Sequence, residues 1–336
     1  MCEFRTVSGR GPFHFVCVPG LVPDGPETFL RQQSLLRRFG AVTVVTYPYD
    51  RFVIDDVLAH IREAIERARA DGRQPILMGV SVGGGICLEL LRRARDQGKP
   101  IELAALLLIS PFTCTADLAP LLARLVGGIQ QEADRSDGGR PDQALERGRA
   151  FFRSLASKSV AAKPLVTGWR SFFALLTPQG FAEWGESRIR ARIERTLEAI
   201  TSQGGIARVL ALRHLGGLDQ DARATKPLTE VPTLILWGSK ERHTLTMDGP
   251  GTRILSRPDL ASRHFPDVEV QWVYTHDGEE VPHASLLKHA PDFNRHLRHF
   301  LKRRARSYGL LPRMALMARA ARAAMPLALL PALRGT

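Results

Sequence analysis

The sequence predicts an α/β fold: a doubly wound, mostly parallel sheet with helices on both faces and an inserted helical cap. Three observations predict it. Short apolar runs alternate with longer amphipathic stretches over residues 13–112, and again after residue 230. Between 113 and 229 that alternation stops, and only helix-like pieces remain. At the junction Gly79-Val80-Ser81-Val82-Gly83 a strand turns straight into a helix around one serine.

Phe13–Val18 reads as an apolar strand ending in Pro19-Gly20-Leu21-Val22-Pro23. Glu27–Phe39 reads as a helix, with Phe29, Leu30, Leu35 and Leu36 at helical spacing and Gly40 as its stop. Val42–Tyr47 is the next strand, and Ile54–Ala70 an amphipathic helix ended by Asp71-Gly72. Pro75–Met78 is the strand that enters the serine turn, and Gly84–Ala94 the helix that leaves it. Gly79 and Gly83 omit the Cβ atoms that would collide where strand and helix pass. Leu103–Ile109 is a fully apolar strand followed by Ser110-Pro111-Phe112. Helix-like pieces then cover Leu118–Ile129, Gln143–Ser157, Glu186–Ile200 and Ile206–Leu215, with a polar loop over Glu132–Asp142. Pro232–Trp237 and Val268–Tyr274 resume the strands, and Leu286–Arg304 is a long closing helix.

This order divides the chain into a core of residues 1–112 and 230–308, a cap of residues 113–229 and a tail of residues 309–336. An insertion between two strands of such a sheet lies over their C-terminal ends, where loops form binding sites.

Composition narrows the class. With 44% hydrophobic and 24% charged residues, the chain is ordinary for a globular protein. Cys2, Cys17, Cys87 and Cys114 follow no metal or disulfide spacing, and the apolar surroundings of Cys17 and Cys87 mark them as core thiols, which fits a reducing, cytoplasmic setting. The N-terminus carries no signal-peptide pattern, and no stretch of about 18 uncharged apolar residues suggests a spanning helix. The net charge of +13 raises the question of nucleic acid. Ten of those charges are Arg and Lys residues beyond Asp292, where no acid follows, so residues 1–292 carry only +3. That distribution, without any nucleic-acid-binding motif, argues against a nucleic-acid partner.

A serine hydroxyl is a poor nucleophile at neutral pH. It needs a base, and the base needs an orienting carboxylate. On this sheet all three belong on loops after strands. Gly238-Ser239-Lys240-Glu241 follows one strand, and Thr275 to His283 follows the next. Ser81, Glu241 and His283 therefore occur in that chain order. Asp117 is the alternative acid and His276 the alternative base. His243 stands beside the acid loop, and His14, His60 and His214 show no partner in sequence.

That order, the serine turn and the cap resemble the α/β-hydrolase superfamily over about residues 12–303. The motifs are Gly79-Val80-Ser81-Val82-Gly83-Gly84, the strand Pro232–Gly238, and His283 followed by Pro291-Asp292-Phe293-Asn294. The resemblance implies a capped serine hydrolase of the esterase or lipase kind, with Ser81 as nucleophile, His283 as base and Glu241 as acid. Glu241 stands where the superfamily more often has Asp, and Pro19-Gly20 stands where it has His-Gly. The backbone N–H groups of Leu21 and Val82 are the expected oxyanion donors. No cofactor and no metal are implied. The expected substrate is a small-molecule or lipid-like carboxylic ester or thioester. An acyltransferase and a non-catalytic binding protein are the alternatives on the same fold.

Phe151, Phe152, Trp169, Phe172, Phe173, Phe181 and Trp184 line an acyl pocket or fill the cap's own core. In the tail, Leu310, Met314, Met317, Ala321 and Met325 share a helical face beside Arg319 and Arg322, after the basic run Lys302–Arg306. Such a segment suits peripheral contact with an anionic inner membrane surface, or packing on the body with its arginines solvated.

Overall fold

The computed structural model describes residues 2–22, 25–135, 142–143, 145–150, 153, 178–218 and 226–308, and the side chains of all of these but 178–187. The described residues divide into two compact units after Asn294.

Seven strands form one sheet in the order β1-β3-β2-β4-β5-β6-β7. They are β1 Glu3–Val7, β2 Phe13–Val18, β3 Gly40–Thr46, β4 Gln74–Val80, β5 Ala105–Ile109, β6 Thr233–Gly238 and β7 Val268–Val273. Only β1 is antiparallel, pairing with β3, and the other strands run parallel. Every residue of β2, β5 and β6 is buried. A strand covered on both faces gains nothing from polar alternation, which is why these segments read as continuous apolar runs.

The helices that flank the site are α1 Gly25–Thr28, α2 Gln33–Leu36, α3 Ile54–Ala70 and α4 Val82–Asp96. The expected bounds of α3 agree with the structure residue for residue. Glu27–Phe39, expected as one helix, is instead the two short helices α1 and α2 joined by a turn. The break turns Gln32 inward, where its Nε2 donates to Leu286 O at 2.9 Å.

Between β5 and β6 the described residues contain helices and no strand: α5 Pro120–Asp134, α6 Pro178–Ala199 and α7 Ser202–Ala211. The start of the loop expected over Glu132–Asp142 is thus the last turn of α5, and residues 136–141 lie outside the described residues. So do the cap aromatics, as far as their side chains are concerned, and the whole of 309–336. These helices reach the C-terminal ends of the strands. Ile189, Ile193 and Leu197 of α6 cluster with Leu287, packed against Val22 and Leu30. Arg192 pairs with Glu27 at 2.9 Å, and Thr201 N–H donates to Tyr49 O.

Two further short helices, α8 Pro250–Leu255 and α9 Pro258–Ala261, precede β7. The last described helix, α10, is Ala290–Ser307.

Candidate active site

β4 ends at Val80 and α4 begins at Val82, so Ser81 alone makes the turn. Its backbone sits at φ 51° and ψ −121°, a conformation that costs a non-glycine residue of order 1–3 kcal/mol. The turn is held by Ser81 N–H to Ile109 O at 2.9 Å and by Phe112 N–H to Ser81 O at 3.0 Å. A Cβ on Gly83 would fall 2.3 Å from both Val18 O and Pro19 O. Only glycine lets α4 pass this close to the end of β2.

Ser81 Oγ lies 2.9 Å from His283 Nε2, and His283 Nδ1 lies 2.5 Å from Glu241 Oε2. The Glu241 side chain is almost fully buried, whereas His283 keeps a small exposed edge. Glu241 is placed by the short turn Glu241–His243 after β6, and His283 by the loop after β7. The two loops are bridged by Lys240 N–H to Val281 O at 2.9 Å and by Ser239 Oγ accepting from Val281 N–H at 2.8 Å. The Nδ1–carboxylate bond places the Nδ1 proton toward Glu241, leaving Nε2 to accept from the serine hydroxyl.

The other carboxylate and histidine candidates fall elsewhere. Asp117 is wholly buried, but it accepts from Thr113 Oγ1 at 2.6 Å and from the N–H groups of Thr113, Gly251 and Thr252. It ties the loop after β5 to the start of α8. His276 is exposed in a turn beyond β7, and His243 is exposed too. His14 bonds Thr43 Oγ1 through Nε2 at 2.7 Å, within the sheet. Burial pushes the thiols of Cys17 and Cys87 well above their ordinary range, so neither is a ready nucleophile. Among the described residues no group of His, Cys, Asp and Glu is arranged to hold a metal ion.

Val82 is the first residue of α4, so its N–H has no acceptor within the helix. Gly20 lies against the serine: a Cβ there would fall 3.4 Å from Ser81 Cβ. Leu21 follows it, with its carbonyl accepting from Arg208 at 3.1 Å.

Two contributors to this geometry were not read from the sequence. Arg208, on α7, is almost fully buried and also donates to Tyr47 O at 3.3 Å and Pro48 O at 3.0 Å. One guanidinium thus spans the loops after β2 and β3, a task for its planar fork. Its signal in sequence is a single cation inside the apolar run Ile206–Leu212. Ser110, wholly buried at the end of β5, donates its hydroxyl to Glu241 Oε1 at 2.5 Å. Its signal is a polar residue closing a strand that is otherwise entirely apolar.

Comparison with known proteins agrees with this architecture. A family model described as the alpha/beta hydrolase fold matches residues 47–132, the span that includes the serine turn. The chain has the α/β-hydrolase fold. Solved structures of that fold align over nearly all of it at low identity. An esterase from Thermogutta terrifontis is 14% identical, covering 90% of this chain and 93% of its own, with a TM-score of 0.56. An esterase from Exiguobacterium antarcticum is 16% identical, covering 90% and 95%, with a TM-score of 0.55. A hydrolase from Pseudomonas aeruginosa is 18% identical, covering 89% and 94%, with a TM-score of 0.56. No curated protein sequence matches the chain significantly. No helix among the described residues is long and apolar enough to cross a membrane.

Proposed function

We propose that this α/β-hydrolase-fold protein is a serine esterase that cleaves carboxylic esters through an acyl-enzyme on Ser81. The observation that carries the reading is the continuous hydrogen-bonded line from Ser81 Oγ through His283 to Glu241, at 2.9 and 2.5 Å. It ends in a buried carboxylate and begins at a strained serine on a helix N-terminus. His283 Nε2 takes the hydroxyl proton as Oγ attacks the ester carbonyl. Glu241 stabilises the imidazolium that results. The N–H groups of Val82 and Leu21 receive the developing oxyanion, helped by the positive end of α4. The imidazolium then returns its proton to the leaving alkoxide. Water, deprotonated by the same histidine, releases the acid and restores Ser81.

We take the acyl group to be apolar: Val22, next to the proposed donor Leu21, packs against a buried apolar cluster of Ile189 and Ile193 from α6 with Leu287 from the loop after β7. Residues 113–229 act, on this reading, as the cap that selects the acyl chain.

A chain-length series of p-nitrophenyl esters tests activity and pocket depth together. The wild-type protein should hydrolyse short to medium esters and be labelled by a fluorophosphonate. Ser81→Ala should lose about 10³-fold or more in kcat with the fold intact. Retention of most esterase activity in that variant sinks the proposal. Absence of both turnover and labelling in the wild type favours a binding protein, and ester exchange exceeding hydrolysis in added alcohol favours an acyltransferase.

A further inference from the structure

We infer that Ser110 is a positioning residue for the Glu241–His283 pair, its hydroxyl locking the acid loop and the histidine loop into one register. The inference rests on the role proposed above for those two residues.

Ser110 lies one residue beyond β5, and its N–H donates to Leu236 O of β6 at 2.7 Å. Its hydroxyl donates to Glu241 Oε1 at 2.5 Å. The same oxygen accepts from Ala284 N–H at 3.1 Å and from Gly238 N–H at 3.4 Å. One atom therefore joins the ends of β5 and β6 and the residue next to His283. A hydroxyl is suited to this, since it offers one proton to a carboxylate and two lone pairs to amides. The Glu241 oxygen that Ser110 holds is not the one that faces His283, so the bond sets the rotation of the carboxylate about the pair.

Backbone strain gathers at the same place. Among the described residues, those other than glycine with positive φ are Ser81 at 51°, Ser110 at 44° and Ala284 at 46°. Strain of this kind persists only where surrounding structure over-determines it. Here Ser110 and Ala284 are bonded to each other and flank the dyad, and Ser81 is its target.

Without that bond the Glu241 carboxylate loses the partner that sets its rotation, and its contact with His283 Nδ1 loosens while the substrate contacts stay. A variant that merely folded less well would lose melting temperature without moving the His283 Nδ1 proton resonance.

The test compares Ser110→Ala, Ser110→Gly and Ser110→Cys with the wild type. Alanine keeps the strain and removes the hydroxyl, glycine removes both, and cysteine keeps a weaker donor. Ser110→Ala and Ser110→Gly should lose kcat about ten- to a hundredfold, with KM within about threefold. Ser110→Cys should fall between. Wild-type kcat in Ser110→Ala overturns the inference. So does recovery in Ser110→Gly, which would assign the effect to backbone strain. If Ser110→Ala and Ser110→Gly do not fold, a wild-type kcat in Ser110→Cys overturns it, and a lowered kcat at unchanged KM supports it. If the wild type hydrolyses no ester, the esterase reading has failed, and the downfield proton resonance of His283 Nδ1 decides the positioning role by itself. That resonance, assigned by its loss in His283→Ala, should shift upfield or broaden in Ser110→Ala, and an unchanged signal overturns the inference.

Discussion

Asp117 and Glu241 are both buried carboxylates on loops at one edge of the sheet, and their partners give them different work. Asp117 faces only donors from the loop after β5 and from the start of α8. Glu241 divides its two oxygens between Ser110 and Gly238 on one side and His283 on the other. Glu241→Gln would present an amide where His283 needs an anion. We expect kcat to fall roughly 10²- to 10⁴-fold while the melting temperature changes little. Asp117→Asn would turn an NH₂ group toward donors, a loss of about 1–3 kcal/mol in stability with kcat within a few-fold of wild type. Steady-state kinetics and thermal melts on both variants decide this. The reverse pattern would make Asp117 the acid.

At the scale of elements, the helical insertion reaches the loops next to the serine. α7 delivers Arg208 to the carbonyls of Leu21, Tyr47 and Pro48. Its guanidinium also lies 5.6 Å from the centre of the Tyr47 ring, and Tyr47 Oη donates to Pro19 O at 2.9 Å. The loop proposed to carry an oxyanion donor is therefore held from the cap side. Arg208→Lys keeps the charge but loses the fork, and one ammonium cannot span these carbonyls with the same geometry. The expected result is a loss of about tenfold in kcat/KM, roughly 1.4 kcal/mol in transition-state stabilisation, with fluorophosphonate labelling of Ser81 retained. An unchanged kcat/KM would mean that the loop after β2 holds itself.

For the whole molecule, stability should fall as the medium turns mildly acidic. Burial lowers the pKa of His14 from the ordinary 6.5, with Arg73 adding to the effect. Burial and Lys288 lower that of His289, against the opposing pull of Asp292. In each case the unfolded chain binds protons more readily than the folded one. The contribution is thus fully present above about pH 6.5 and is lost as pH falls from there through the folded values. The urea midpoint should be lower at pH 5.5 than at pH 7.5, and His14→Gln should reduce that difference. A midpoint independent of pH over this range would show that neither histidine pays a burial cost on charging.

Much of this protein is written locally. Ser81 was legible because a strand-to-helix turn needs small residues on both sides, and Gly79 and Gly83 supply them within five positions. β2, β4, β5 and β6 were legible because central parallel strands are apolar throughout. The Ser81, Glu241, His283 order followed from placing loops after strands. The strand β1 was not legible, since Glu3–Val7 is an edge strand with polar residues exposed and no apolar run to mark it. The break between α1 and α2 was not legible either, because the apolar spacing of 29–36 is helical, while the bond from Gln32 to the Leu286 carbonyl joins segments far apart in the chain. Which carboxylate and which histidine stand beside Ser81, and the places of Ser110 and Arg208, belong to the tertiary structure. Residues up to 202 positions apart meet there. Spacing along the chain reports which face a side chain is on, but hydrogen bonds between separate loops depend on how strands pair, and no local pattern encodes that.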